Sequence, residues 1–291
     1  RIYILNYHNY NTDILTYYLS RFYSSKIAST LHGWTERNRR MRFYKEIDFR
    51  FLKKFDLIKT VSSPLREEAL RRGFPADEVV VIPNAVDLSL MKTDRDEVEQ
   101  LRRRFGLDPA SPVIGMAGRL DREKNPRLLL EVLPILAEKH PGLRCFFVGE
   151  GPLKEELMEE AGSLGLDETV IFTGYRFDPL NFIALFDILI LPSRTEGIPK
   201  ALLEAMALKV PAVATAVGGV PDVLRGGSAG ILVPPNDPEE IIAKVGMLLQ
   251  DPELRTRLGA AGKRLVEEEY SDRTMVARMD RFYQRLSGEK S

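Results

Sequence analysis

A single cysteine, Cys145, in a chain of 291 residues excludes an intrachain disulfide and fits a reducing compartment. It falls within the apolar pattern Leu143–Val148, where it reads as a small buried residue. Histidine is nearly as scarce: the three histidines and the cysteine lie far apart in sequence, so no metal cluster is expected. No apolar run approaches the roughly 20 residues that span a bilayer, and no signal-peptide pattern is visible. A cytoplasmic chain is expected, attached at most to the inner face of a membrane. Net charge is absent as well, with 42 basic against 42 acidic side chains. That balance hides an asymmetry, because residues 1–90 hold 15 Lys and Arg against 10 Asp and Glu and the remainder holds 27 against 32. Nucleic acid is not an expected partner. No internal repeat or low-complexity stretch appears, and the length suits one large or two ordinary domains.

What is present centres on residues 185–224. Leu185–Leu191 is an apolar run of strand length, broken by Pro192-Ser193. A polar loop, Arg194–Gly197, leads to Pro199, placed in the first turn of a helix where a missing N–H removes no bond. Ala201, Leu202, Leu203, Ala205, Met206 and Ala207 carry that helix onward, and Pro211–Val217 is a second strand closed by Gly218-Gly219. A strand–loop–helix–strand unit of this kind opens its helix N-terminus onto the carboxyl end of a parallel sheet, which favours an anion. Glu196 and Glu204 flank that point, and ionised carboxylates only accept hydrogen bonds, which suits hydroxyls. Phosphates and sugar hydroxyls together describe a nucleotide-sugar.

The two glutamates stand eight residues apart, and with GIPKALLEAMA, PAVAT and GGVPD around them they resemble the E-x7-E signature of retaining glycosyltransferase family 4 (glycosyltransferases group 1). Other stretches extend the resemblance: Pro83–Asp87, Gly118-Arg119-Leu120 with Lys124-Asn125, and Gly226–Val233 with Pro234–Asp237. It implies an α/β protein of GT-B type, with two Rossmann-like parallel-sheet domains facing a cleft. It also implies transfer from a nucleoside-diphosphate sugar to a hydroxyl acceptor, a hexosyltransferase-type activity without metal or cofactor. On this resemblance Arg119 and Lys124 stabilise the leaving pyrophosphate, Glu204 takes the ribose hydroxyls and Glu196 the sugar hydroxyls. Backbone groups of Gly197 and Ile198 align sugar and phosphate beside Pro199 and Lys200. Gly118, Gly149, Gly174 and Tyr175 border the donor, the last two at the nucleobase. His32, and after it His8, fall on the acceptor side. The acceptor is a carbohydrate or lipid-linked molecule, in polysaccharide, lipopolysaccharide or glycolipid synthesis.

Taken in order, residues 1–90 form the N-terminal domain, 91–110 a linker, 111–268 the donor domain and 269–291 a helix returning to the first domain. The family's opening strands and glycine-rich loop have no counterpart, so the N-terminal domain is expected to be incomplete, lacking several tens of residues. Helices are predicted at Asn11–Phe22 and Thr35–Phe55. The second has 8 basic and 3 acidic residues. It reads either as a solvated helix with Phe43, Phe51, Leu52 and Phe55 on its core side, or as a face for an anionic membrane. Asp94-Arg95-Asp96 has the form of a metal motif but reads as a helix cap. Two alternatives to a transferase remain: a non-catalytic nucleotide-sugar-binding protein, and an epimerase or phosphorylase on the same architecture.

Overall fold

The computed structural model describes residues 4–7, 17–20, 22, 25–32, 46 and 49–288. The chain divides into two compact units, residues 1–84 with 273–291 and residues 85–272.

In the first unit, strands β1 (Ile4–Tyr7), β2 (Lys26–Leu31), β3 (Leu57–Thr60) and β4 (Val79–Val81) pair in parallel in that order. A parallel sheet buries both faces, and even the polar Ser29, Thr30, Lys59 and Thr60 of β2 and β3 are buried. One face packs Ile27, Leu31 and Ile58 against Phe49, Leu52, Phe55 and Ala69, the last from helix α1 (Ser63–Arg71). The other packs Ala28, Leu57 and Ile82 against Phe282 and Leu286 of the C-terminal helix Asp272–Ser287. Phe51, expected in the core, is only partly buried and packs on the rings of Tyr17 and Tyr18. Phe49 takes the core position instead, three residues before Leu52 on the same helical face. His8, most of the helix predicted at Asn11–Phe22, and the basic residues Arg37, Arg39, Arg40, Arg42 and Lys45 lie outside the described residues.

Lys59 in β3 is 5% exposed and has no ionic partner among the described residues. Burial holds its amine below the ordinary lysine value. As pH falls below that ordinary value the unfolded chain takes up a proton first, so stability is lost from there down through the lowered pKa. Lys59→Met should therefore raise the melting temperature, and by more at neutral than at strongly alkaline pH. Calorimetry across that range checks it; an equal or lower melting temperature at neutral pH would overturn it.

In the second unit, β5 (Val113–Ala117), β6 (Arg144–Val148), β7 (Val170–Gly174), β8 (Ile188–Leu191), β9 (Ala212–Thr215) and β10 (Ile231–Val233) form one parallel sheet. Its order is β10-β9-β8-β5-β6-β7, the doubly wound arrangement in which the winding reverses between β5 and β8. Alternate residues feed opposite cores. Phe146 and Leu189 meet Leu202 and Met206, whereas Phe147 and Ile190 meet Leu129 and Leu133. Leu185 and Phe186, expected in β8, close the end of a short helix instead, their N–H groups donating to the carbonyls of Phe182 and Ile183.

The segment expected as a linker is part of this unit. It carries helix α2 (Arg95–Arg104), and Leu101 and Leu107 are buried in the core beside Phe146. Asp94 caps α2, accepting the N–H groups of Asp96 at 2.9 Å and Glu97 at 3.3 Å. The boundaries fall at Asn84/Ala85 and Asp272/Arg273. Val86 explains this: it donates to Tyr270 O at 2.9 Å and accepts from Asp272 N–H at 3.0 Å, tying both crossing segments into the unit.

Candidate functional site

Ligands of open α/β sheets bind outside the carboxyl ends of the strands where the winding reverses. Here the chain leaves β5 as Gly118-Arg119, β6 as Gly149-Glu150-Gly151, β7 as Gly174-Tyr175-Arg176 and β8 as a loop over residues 192–199. A cavity of about 490 Å³ opens over these ends, lined by Gly118, Arg119, Gly149, Tyr175, Lys200 and Glu204 among others. Gly149 makes the shared floor possible. Its φ is +145°, and a Cβ there would sit 1.9 Å from the Gly118 carbonyl oxygen. Backbone bonds from Gly118 N to Val148 O at 2.9 Å and from Gly149 N to Gly174 O at 3.0 Å join the three strand ends.

The loop after Arg119 is shaped by Asp121, whose carboxylate accepts the N–H groups of Glu123 at 3.0 Å and Lys124 at 3.1 Å. This aims Lys124 at Glu196, with Nζ 2.7 and 2.8 Å from its two carboxylate oxygens. Ser193 Oγ donates to the same carboxylate at 2.6 Å, and Thr215 Oγ1 holds Ser193 by donating to its carbonyl at 2.6 Å. The Glu196 side chain is 6% exposed, so the lysine is what keeps a buried charge compensated. Arg119 stays largely in solvent, its Nε 3.4 Å from Asp121.

After α3 (Pro126–Lys139), α4 (Lys154–Ser163) and α5 (Pro179–Ile183), helix α6 spans Lys200–Ala207. Pro199 is its N-cap, with ψ 121°, rather than a residue of the first turn. The correction matters, because the free N–H groups of the first turn then belong to Lys200 and Ala201, both of which line the cavity. Glu204 faces the same space with its side chain 9% exposed and Lys200 Nζ 3.2 Å from its carboxylate.

The fold thus brings Arg119, Lys200, Glu204, Gly118, Gly149 and Tyr175 to one cavity, with Gly174 behind Gly149. Lys124, Glu196, Gly197 and Ile198 form the loop pair beside it. His32 directly follows β2 in the other unit, exposed to solvent. Among the cavity residues absent from the predicted site, two are charged, Glu150 and Arg176. Glu150 accepts from Lys154 Nζ at 2.6 Å and from the Tyr175 N–H, and the lysine holds its carboxyl below the usual range. From the β8 loop to the β7 loop is three strand spacings, about 14 Å, a span that fits an extended nucleoside diphosphate.

A family model described as Glycosyl transferases group 1 matches residues 97–265, and one described as Glycosyltransferase Family 4 matches residues 1–90. The chain is 32% identical over 235 residues to a GDP-mannose-dependent alpha-(1-6)-phosphatidylinositol monomannoside mannosyltransferase of Mycolicibacterium smegmatis, covering 77% of this chain and 61% of that one. It is 33% identical over 190 residues to a D-inositol 3-phosphate glycosyltransferase of Corynebacterium jeikeium, covering 62% and 45%. The chain spans about half the length of the curated relatives it matches. Among solved structures, an Anabaena protein in complex with UDP superposes with a TM-score of 0.89 at 20% identity, over 97% of this chain and 79% of that one. Sucrose-phosphate synthase from Thermosynechococcus elongatus gives 0.85 at 21%, over 99% and 74%. At these identities the structural likeness is one of fold. No described helix is long and apolar enough to cross a membrane.

Proposed function

The chain belongs to the group 1 glycosyl transferases, and from that premise we propose that it moves a sugar from a nucleoside-diphosphate sugar to a hydroxyl acceptor with retention of anomeric configuration. Its main support is the convergence, at the reversal point of one sheet, of a helix N-terminus, the Lys124–Glu196 pair and the Glu204 carboxylate. Arg119, Lys124 and the first N–H groups of α6 neutralise charge that builds on the departing pyrophosphate. The bond from the anomeric carbon to the phosphate oxygen breaks, a new bond forms to the acceptor oxygen, and the hydroxyl proton passes to the donor phosphate. Glu204 accepts from the ribose hydroxyls. Glu196 has lone pairs left after Lys124 and Ser193 and accepts from the sugar. His32 serves the acceptor side. No metal takes part. The acceptor is a carbohydrate or a lipid-linked molecule, met at the inner face of a membrane that the basic stretch Thr35–Phe55 contacts, in polysaccharide, lipopolysaccharide or glycolipid synthesis.

The test is a panel of UDP-, GDP- and ADP-sugars, with binding and slow hydrolysis followed for the wild type, Glu204→Ala and Arg119→Ala. Saturable binding of one donor, weakened about tenfold or more in both variants, together with turnover, is the expected result. Binding without turnover would make the chain a nucleotide-sugar-binding protein, and no binding of any donor would sink the proposal.

A further inference from the structure

The two glutamates of the site are unequally satisfied. Glu196 accepts from both Lys124 Nζ and Ser193 Oγ. Glu204, whose side chain is 9% exposed and lines the cavity, has a single partner among the described residues, Lys200 Nζ at 3.2 Å. That lysine side chain is 77% exposed. A carboxylate taken out of water calls for fixed donors, and here a cation on a long, solvated stem stands in for them.

The lysine has a second place to go. Lys200 is the first residue of α6, at the end of the helix that favours an anion. Cα–Cβ bonds of a helix tilt toward its N-terminus, so the stem leans toward that end, whereas Glu204 lies one turn the other way. The other two cations of the site already stand beside carboxylates, Lys124 on Glu196 at 2.7 Å and Arg119 by Asp121 at 3.4 Å.

We infer that Lys200 exchanges partners when a donor binds: ribose hydroxyls take over Glu204, and the released ammonium closes on the diphosphate. This rests on the nucleotide-sugar reading above. The exchange acts in opposite directions on two kinds of ligand. To a bare nucleoside Lys200 is a competitor, because the hydroxyls must displace it from Glu204. To a nucleoside diphosphate it is a ligand, donating a charge-assisted hydrogen bond to a phosphate oxygen. Lys200 is thus the side chain by which the site favours the diphosphate over the nucleoside.

Calorimetry with UDP, GDP and ADP, with uridine, guanosine and adenosine as competitors, tests this in wild type, Lys200→Met, Glu204→Gln, their double variant and Glu204→Ala. The diphosphate that binds wild type should bind Lys200→Met about five- to tenfold more weakly, the loss of one charge-assisted contact at an exposed position. Its nucleoside should bind at least as tightly as to wild type, and up to about threefold more so, because Glu204 then stands uncovered. Glu204→Gln removes the charge that Lys200 covers, so in that background Lys200→Met should weaken the diphosphate alone. A general loss of folding weakens both ligands and cannot imitate this pattern. A nucleoside weakened in Lys200→Met, or a diphosphate that is not, would overturn the exchange, while binding lost in Glu204→Ala left the donor site standing. Absence of competition by any nucleoside would overturn it as well, since hydroxyls that do not bind cannot displace the lysine. Binding of no diphosphate, or binding indifferent to Glu204→Ala, would overturn both the exchange and the nucleotide-sugar reading.

Discussion

Lys124→Ala is expected to lower sugar transfer by about 10²- to 10³-fold and to lower the melting temperature by several degrees. The first effect follows from charge: removing one preorganised donor from a site where negative charge develops costs that much in other acyl- and phosphoryl-type sites. The second follows from Glu196, 6% exposed in the intact pair, which would be left with only Ser193 to donate to it. Breaking a fully buried ion pair from one side costs about 3–5 kcal/mol. Lys124 keeps 26% of its side chain in water, so roughly 2 kcal/mol is the better expectation, or about 4–8 °C for a unit of this size. The two effects separate in the pair Lys124→Met with Glu196→Gln. Removing both charges leaves nothing uncompensated, so most of the melting temperature should return while transfer stays low. Transfer at the wild-type rate in Lys124→Ala, with only the melting temperature reduced, would make Lys124 a structural cation.

How much of this was legible in the sequence depends on distance along the chain. The strand–helix alternation and the spacing of Glu196 and Glu204 are local, and hydrophobic period and punctuation report them well. The pairing of β5 with β8 is not local. Nothing in the runs Val113–Ala117 and Ile188–Leu191 says that they are neighbours, and with that order the contact between Lys124 and Glu196, 72 residues apart, was also out of reach. Residues 95–104, RDEVEQLRRR, read as a charged helix within a linker because Val98 and Leu101 are its only apolar residues. Its burial is decided by Phe146 and the rest of a core assembled elsewhere. Pro199 missed by one position, since proline is tolerated at the cap and in the first turn alike. Arg176 carried a signal that went unused. It follows a strand and its closing glycine much as Arg119 follows Gly118, and two such cations at the carboxyl ends of two strands of one sheet, β5 and β7, invite a common ligand.

Gly218→Ala should cost about a hundredfold in transfer, although Gly218 makes none of the chemical contacts. Its φ is +54°, where an L residue is strained by about 1 kcal/mol. The larger effect is steric: the new Cβ would fall 1.7 Å from the Glu196 carbonyl oxygen, backbone against backbone. Neither atom belongs to a flexible side chain, so the loop carrying Glu196 must move by on the order of 1 Å, and displacements of that size cost about 10²-fold where geometry is set for reaction. The Gly219 N–H bond to Gly197 O at 2.9 Å passes the shift directly to the residue beside Glu196. Gly165 supplies the comparison. Its φ of +68° is close to that of Gly218, but no atom lies within 4 Å of a Cβ built there, and it follows α4 as an ordinary helix terminator. Gly165→Ala should therefore lose about 1 kcal/mol of stability with transfer unchanged. Measuring turnover and melting temperature for both variants isolates the contact from the backbone strain they share. If both variants lost turnover equally, or neither did, the bracing of Glu196 by the Gly218-Gly219 turn would be refuted.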